Sequence, residues 1–157
     1  MLRDKICKNE KDFIVMPKNK MSRDELAKRI TLAPFHQWLG LKLTAMDENG
    51  IELMVPWREE FVVNVDLGYT HGGILATLID VAADYAIAAK LGRPVPTIDM
   101  RVDYHRPAFQ GDLIVRANVL KLGSNFSTGE AQVADNKGKL LASGRGVYLS
   151  VPLGRSS

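Results

Sequence analysis

The chain has a single cysteine, Cys7, set in a polar N-terminal stretch, so it can form no internal disulfide. With only three widely spaced histidines beside it, a Cys/His metal cluster is not expected, and its place in the arm argues against a role as nucleophile. No charge-free apolar run reaches the length that crosses a bilayer: the longest candidate, Ile74 to Leu91, is interrupted by Asp80, Asp84 and Lys90. The first twenty residues mix Lys, Asp and Glu with short apolar pieces and lack the continuous apolar core of a signal peptide. The expectation is a cytoplasmic protein that does not enter the membrane. Aromatics are sparse at 7% and no dense Lys/Arg run accompanies them, so nucleic acid is not an expected partner. A G-x-S-x-G nucleophile elbow is also missing, which leaves a Ser-His-Asp triad without support.

What is present suits one folded domain. At 157 residues the chain can bury a core, and 46% hydrophobic against 25% charged residues is a globular composition. Its net charge of +3 and pI near 9.0 favour an anionic ligand without the concentration of charge that nucleic acid requires. Residues 1–21 show no periodicity and are expected to form a flexible arm, with a single domain over 22–157. Ser22 followed by Glu25 spells a capping box for a helix through about Ile30. Pro34 to Gly40 spells a helical turn closed by glycine, packing Phe35, Trp38 and Leu39 against apolar surface.

Leu41–Met46 and Ile51–Trp57 flank Asp47-Glu48-Asn49-Gly50, and the Asn-Gly pair predicts a β-hairpin. Gly72 to Leu91 contains no proline, is apolar nearly all the way round and ends at Gly92, which predicts a long helix buried on most sides. Beyond it, Ile98, Met100, Val102 and Tyr104 alternate with Asp99, Arg101, Asp103 and His105. Leu113, Val115, Ala117 and Val119 repeat that period, and Phe126–Ala134 and Leu140–Leu149 follow, separated by turn residues. Four strands in succession predict an antiparallel meander. The whole is an α+β domain whose one curved sheet wraps a long central helix. Because one sheet covers only part of such a helix and leaves its edges open, at least a homodimer is expected.

Three features carry chemistry. Gly72-Gly73 falls where a loop becomes a helix, so unpaired N–H groups and the positive end of the helix dipole converge at a point with no β-carbon in the way. Such a point binds an anion or a developing oxyanion; a tight loop-to-helix junction would equally need small residues. Asp80 stands in an apolar stretch, and Asp84 falls on the same helical face, where two carboxylates tend to raise one another's pKa unless both open on solvent. His71, just before the glycines, can donate a hydrogen bond or cap the loop, while His36 is assigned a structural role.

Gly68-x-x-His71-Gly72-Gly73, Leu78-Ile79-Asp80, Thr97-Ile98-Asp99-Met100 and Tyr104-His105-Arg106-Pro107-Ala108 occur in an order that resembles the PaaI-like hotdog-fold acyl-CoA thioesterases, over roughly residues 34–150. The resemblance implies hydrolysis of acyl-CoA to free acid and CoA by a homodimer or dimer of dimers, with no cofactor beyond the CoA of the substrate. Carried over, Gly72 offers its N–H to the thioester carbonyl, with Gly73 beside it. Asp80 of the neighbouring subunit acts as general base or nucleophile, and Thr97 orients water or the carboxylate. Asp84 departs from the small or hydroxylic residue commoner there and is assigned a tuning role. Val65 replaces a polar side chain, which leaves Asn64, one residue earlier, or His71 to polarise the carbonyl. His105, Arg106, Ser124 and Asn125 are the candidates for the CoA phosphates. Phe35, Trp38, Phe61 and Tyr85 are expected to close the acyl pocket. Two other readings remain: a non-catalytic acyl-CoA or fatty-acid binding protein, and a dehydratase, whose His-Phe-Pro motif the chain does not contain.

Overall fold

A computed structural model describes residues 20–152, so Cys7 and nearly all of the expected arm lie outside the described residues. Met21 is already part of the folded body, buried, with its N–H donating to Ala89 O at 2.9 Å. Helix α1 (Arg23–Leu32) starts on the expected capping box, Ser22 Oγ accepting from Glu25 N while the Glu25 carboxylate accepts from Ser22 N. Helix α2 (Pro34–Leu39) begins with proline and ends at Gly40 with φ of 71°. Only Leu39 of that turn is fully buried, whereas Phe35 and Trp38 stack on each other at the surface.

Strands β1 (Lys42–Met46) and β2 (Gly50–Val55) form the expected hairpin by a different device. Asp47 Oδ1 accepts from Asn49 N and Gly50 N and so closes the turn itself. Gly50 is already strand, and glycine is required there because a β-carbon would lie 1.9 Å from Ala117 O. A 3-10 turn (Glu59–Phe61) and the short strands β3 (Val62–Asn64) and β4 (Tyr69–Thr70) lead to helix α3, Gly72–Leu91. His71 caps its start and Gly92, at φ 70°, ends it. Within the described residues no helix is long and apolar enough to cross a membrane.

The remaining strands are β5 (Thr97–Tyr104), β6 (Leu113–Lys121), β7 (Phe126–Asp135) and β8 (Leu140–Leu149). The sheet order is β1-β2-β6-β7-β8-β5, antiparallel throughout. The four-strand meander is therefore corrected: β6, β7 and β8 form one, but β5 joins the far edge beside β8, and residues 105–112 carry the chain across to β6. Alternation assigns faces to a strand and says nothing of its neighbours, which is why the sequence could not order β5. Its position has a consequence for burial as well. Met100 and Val102 of β5 pack against the core, but Ile98 and Tyr104 are not covered, at 52% and 55% exposed.

The core lies between α3 and the sheet, where Leu75, Leu78, Ile79, Ala82, Ala83, Ala86 and Ile87 are buried against Leu53, Val115, Ala131 and Val133. Close approach is enforced at Gly144, where a β-carbon would come within 2.8 Å of Ile79 Cγ2. One stripe of α3 stays partly open, formed by Gly73, Thr77, Asp80 and Asp84. It is the three-to-four residue spacing of a single helical face.

Candidate active site

Asp80 is held by two hydroxyls from the sheet. Thr97 Oγ1 donates to Asp80 Oδ1 at 2.8 Å, and Tyr148 OH donates to the same oxygen at 3.3 Å and to Asp80 O at 3.2 Å. Among the described residues nothing donates to Oδ2, so that oxygen is left for a substrate or water. Thr97 can reach only because the β5–β8 register slips between Thr97 and Asp99. Strict alternation would put Thr97 on the face of Asp99, away from the helix; the bulge turns it inward, on the same side as Tyr104. Tyr148 is fully buried, and its hydroxyl is pushed far above the ordinary phenol range by burial and by the Asp80 charge, so it stays a donor. Gly146 makes room for it, since a β-carbon there would fall 2.5 Å from the Tyr148 hydroxyl.

Asp84 sits one turn along the open stripe, with Val95 N donating weakly to its Oδ1 at 3.4 Å. Burial pushes its carboxyl up to about 7, the Val95 N–H draws it partly back and the Asp80 charge raises it further. An unfolded aspartate titrates at about 3.9, so from there to about pH 7 the folded chain binds more protons than the unfolded one. Stability therefore falls as pH rises through this window, and the loss is complete above it. Asp84→Asn removes the slope. In urea titrations the variant is expected to gain on the wild-type chain at pH 8 and to match it near pH 4; an equal difference at both values would contradict the assignment.

At the start of α3, His71 Nδ1 accepts from Gly73 N at 2.7 Å. With Nδ1 an acceptor, the ring proton is on Nε2. The N–H of Gly73 is thus consumed by the cap, and the N–H of Gly72 is the one with no acceptor among the described residues. Tyr104 OH donates to Gly72 O at 3.0 Å. Gly72 and Asp80 do not meet within one chain: eight residues of helix separate them by about 12 Å at 1.5 Å per residue.

Other candidates are placed differently. Asn64 Oδ1 accepts from Asp66 N and Leu67 N, so its oxygen is spent on closing the β3–β4 turn. Val65 is 90% exposed on that turn. His105 Nε2 bonds Ser143 Oγ, and Arg106 donates to Leu140 O, both at the start of β8. Ser124 and Asn125 lie at its other end, where Asn125 O accepts from Ser150 N. From Leu140 and Ser143 to Ser150 the separation is about 23 to 33 Å along β8 at roughly 3.3 Å per residue, so the structure does not bring the two pairs to one point. His36 bonds Ile30 O through Nδ1 and packs edge-on against Tyr85, while Trp38 packs edge-on against buried Phe61. Among the described residues, a cleft of about 300 Å³ beside Tyr85 and Pro94 and one of about 570 Å³ along the β1–β2 turn are lined by neither Asp80 nor Gly72.

Sequence reasoning missed Tyr148 and Tyr104. The signal for Tyr148 was Gly144-x-Gly146-x-Tyr148, in which small residues on one face of a strand clear space for a ring.

A hydroxyl pair from the strands bound to a helical carboxylate, and a glycine N–H at the start of that helix, thus lie on one helix wrapped by a sheet. The Thioesterase superfamily model matches residues 67–142. A putative esterase of Halobacterium salinarum is 36% identical over 122 residues, covering 71% of this chain and 80% of that one. Human acyl-coenzyme A thioesterase 13 is 35% identical over 82 residues, 50% of this chain and 59% of that protein. A solved structure of a thioesterase-superfamily protein superposes with a TM-score of 0.78 at 48% identity, covering 79% of this chain and 94% of the other. The chain belongs to the thioesterase superfamily and has its hotdog fold. Thioester hydrolysis is the general chemistry that this membership supports.

Proposed function

We propose that the protein hydrolyses acyl-CoA thioesters at a site shared by two chains. The observation that carries this reading is that the two halves of the site lie against opposite ends of β5, whose outer edge is open. Thr97, at one end, touches Asp80; Tyr104, at the other, touches Gly72. If two β5 strands pair antiparallel with Thr97 opposite the partner's Tyr104, the twofold axis falls between Met100 and Arg101. Each Asp80 then approaches the Gly72 N–H of the other chain, twice per dimer. The same pairing satisfies the open edge and covers Ile98 and Tyr104.

In that arrangement the Gly72 N–H, with the α3 dipole behind it, polarises the thioester carbonyl. Asp80 Oδ2 takes a proton from water as the water oxygen bonds to the carbonyl carbon. The tetrahedral intermediate keeps its negative oxygen on Gly72 N–H. When it collapses, the carbon–sulfur bond breaks and the CoA sulfur leaves with the proton held by Asp80. Direct attack by Asp80, through an anhydride that water then opens, uses the same geometry. The twofold arrangement also carries Ser124 and Asn125 of one chain toward His105 and Arg106 of the other, so both pairs can line one groove for the anionic end of CoA.

Acyl-CoA as the substrate draws support from human acyl-coenzyme A thioesterase 13 and from the basic surface at His105 and Arg106. Incubation with short, medium, branched and aryl acyl-CoAs in the presence of a thiol-trapping dye tests it. Release of free CoA from at least one of them is expected, whereas saturable binding without release would make the protein an acyl-CoA carrier.

A further inference from the structure

We infer that Tyr104 is a positioning residue that aims the Gly72 N–H at the carbonyl. The inference rests on the hydrolytic reading above and starts from the weakness of two consecutive glycines as a helix start. Glycine has the widest backbone freedom of any residue, so a first turn made of Gly72 and Gly73 does not hold its own direction. Two side chains hold it instead. Tyr104 OH donates to Gly72 O at 3.0 Å, and His71 Nδ1 accepts from Gly73 N at 2.7 Å. These are the two ends of one peptide unit, the C=O of Gly72 and the N–H that follows it. With that unit clamped, the preceding N–H, that of Gly72, is the donor left pointing outward.

The ring contributes as well as the hydroxyl. A β-carbon on Gly72 would stand 3.1 to 3.5 Å from Tyr104 Cε1, Cζ and OH, so the phenol lies directly over the glycine. Nothing in the core requires it, because Tyr104 is 55% exposed on an edge strand. Among the described residues its hydroxyl bonds the peptide next to the donor. Tyr104 also stands on the strand proposed to pair between chains, so pairing would fix the phenol and with it the donor.

The test is Tyr104→Phe, which keeps the ring and removes only a hydroxyl of a residue exposed on the single chain, so the fold of that chain is not at stake. A misdirected donor lowers kcat/KM by about tenfold, the loss expected from a displacement well under 1 Å. Binding is read in parallel with two unreactive acyl-CoA analogues, a ketone in which CH₂ replaces the thioester sulfur and a thioether that lacks the carbonyl. The substitution is expected to weaken the ketone by a similar factor and leave the thioether unchanged. Unchanged kcat/KM and ketone affinity, or equal weakening of both analogues, would overturn the inference, and so would a wild-type chain that binds the two analogues equally. The analogue comparison needs no turnover: if the wild-type chain releases no CoA, the hydrolytic reading fails while the clamp is still judged on ketone against thioether.

Discussion

Asp80→Asn is expected to lower kcat by roughly 10²- to 10⁴-fold, the contribution usual for a positioned general base, while the protein stays folded. The change is nearly isosteric. A carboxamide oxygen still accepts from Thr97 and Tyr148, the two donors that Asp80 Oδ1 now receives. What disappears is the negative charge and the ability of the second oxygen to take a proton or to attack. Affinity for the thioether analogue should change little, because that ligand presents no carbonyl carbon to the carboxylate. Steady-state CoA release beside a thermal melt separates the cases: retained activity would remove Asp80 from the chemistry, and a collapsed melting transition would show that its role is structural.

Gly72→Pro should cost roughly 10²- to 10³-fold in kcat, the penalty typical of losing one oxyanion donor. Proline deletes the N–H and nothing else that the helix uses, since the first helical position needs no intrahelical donor and proline is favoured there. His71 at φ −58° and ψ 131° already has the conformation that a residue before proline adopts. Tyr104 must shift by a few tenths of an ångström to admit the ring, because a β-carbon on Gly72 would come within 3.1 Å of it. Asp80 and its two hydroxyl partners are untouched. Activity within a few-fold of wild type would move the oxyanion site elsewhere.

Features written in neighbouring residues were legible in the sequence. Ser22 with Glu25, Pro34 with Gly40, and Gly92 mark helix ends because a cap is satisfied within a turn of chain. The apolar surround of α3 called for a wrapping sheet, and the fold class follows from that. Long-range features were not legible. That β5 lies beside β8 depends on how residues 105–112 cross the sheet, which no periodicity encodes. The inward turn of Thr97 depends on a bulge that breaks its own strand's alternation, so the pattern of residues 98–105 pointed the wrong way and only the family resemblance pointed to Thr97. Asn64 offers a carboxamide N–H that can polarise a carbonyl; its oxygen closes the β3–β4 turn, as Asn commonly does, which leaves that donor unspent among the described residues. The buried Tyr148 hydroxyl and the Tyr104 clamp are tertiary meetings, each joining a strand residue to a helix far away in the chain.

The central claim is that each active site takes Asp80 from one chain and Gly72 from the other. Subunit exchange between Asp80→Asn and Gly72→Pro chains tests it directly. In an equal mixture half the dimers are mixed, and in each mixed dimer one site pairs an intact Asp80 with an intact Gly72, so CoA release should recover to about a quarter of the wild-type rate. If both groups belong to one chain, every site in the mixture carries a defect, and activity no higher than the average of the two separate variants would contradict the account.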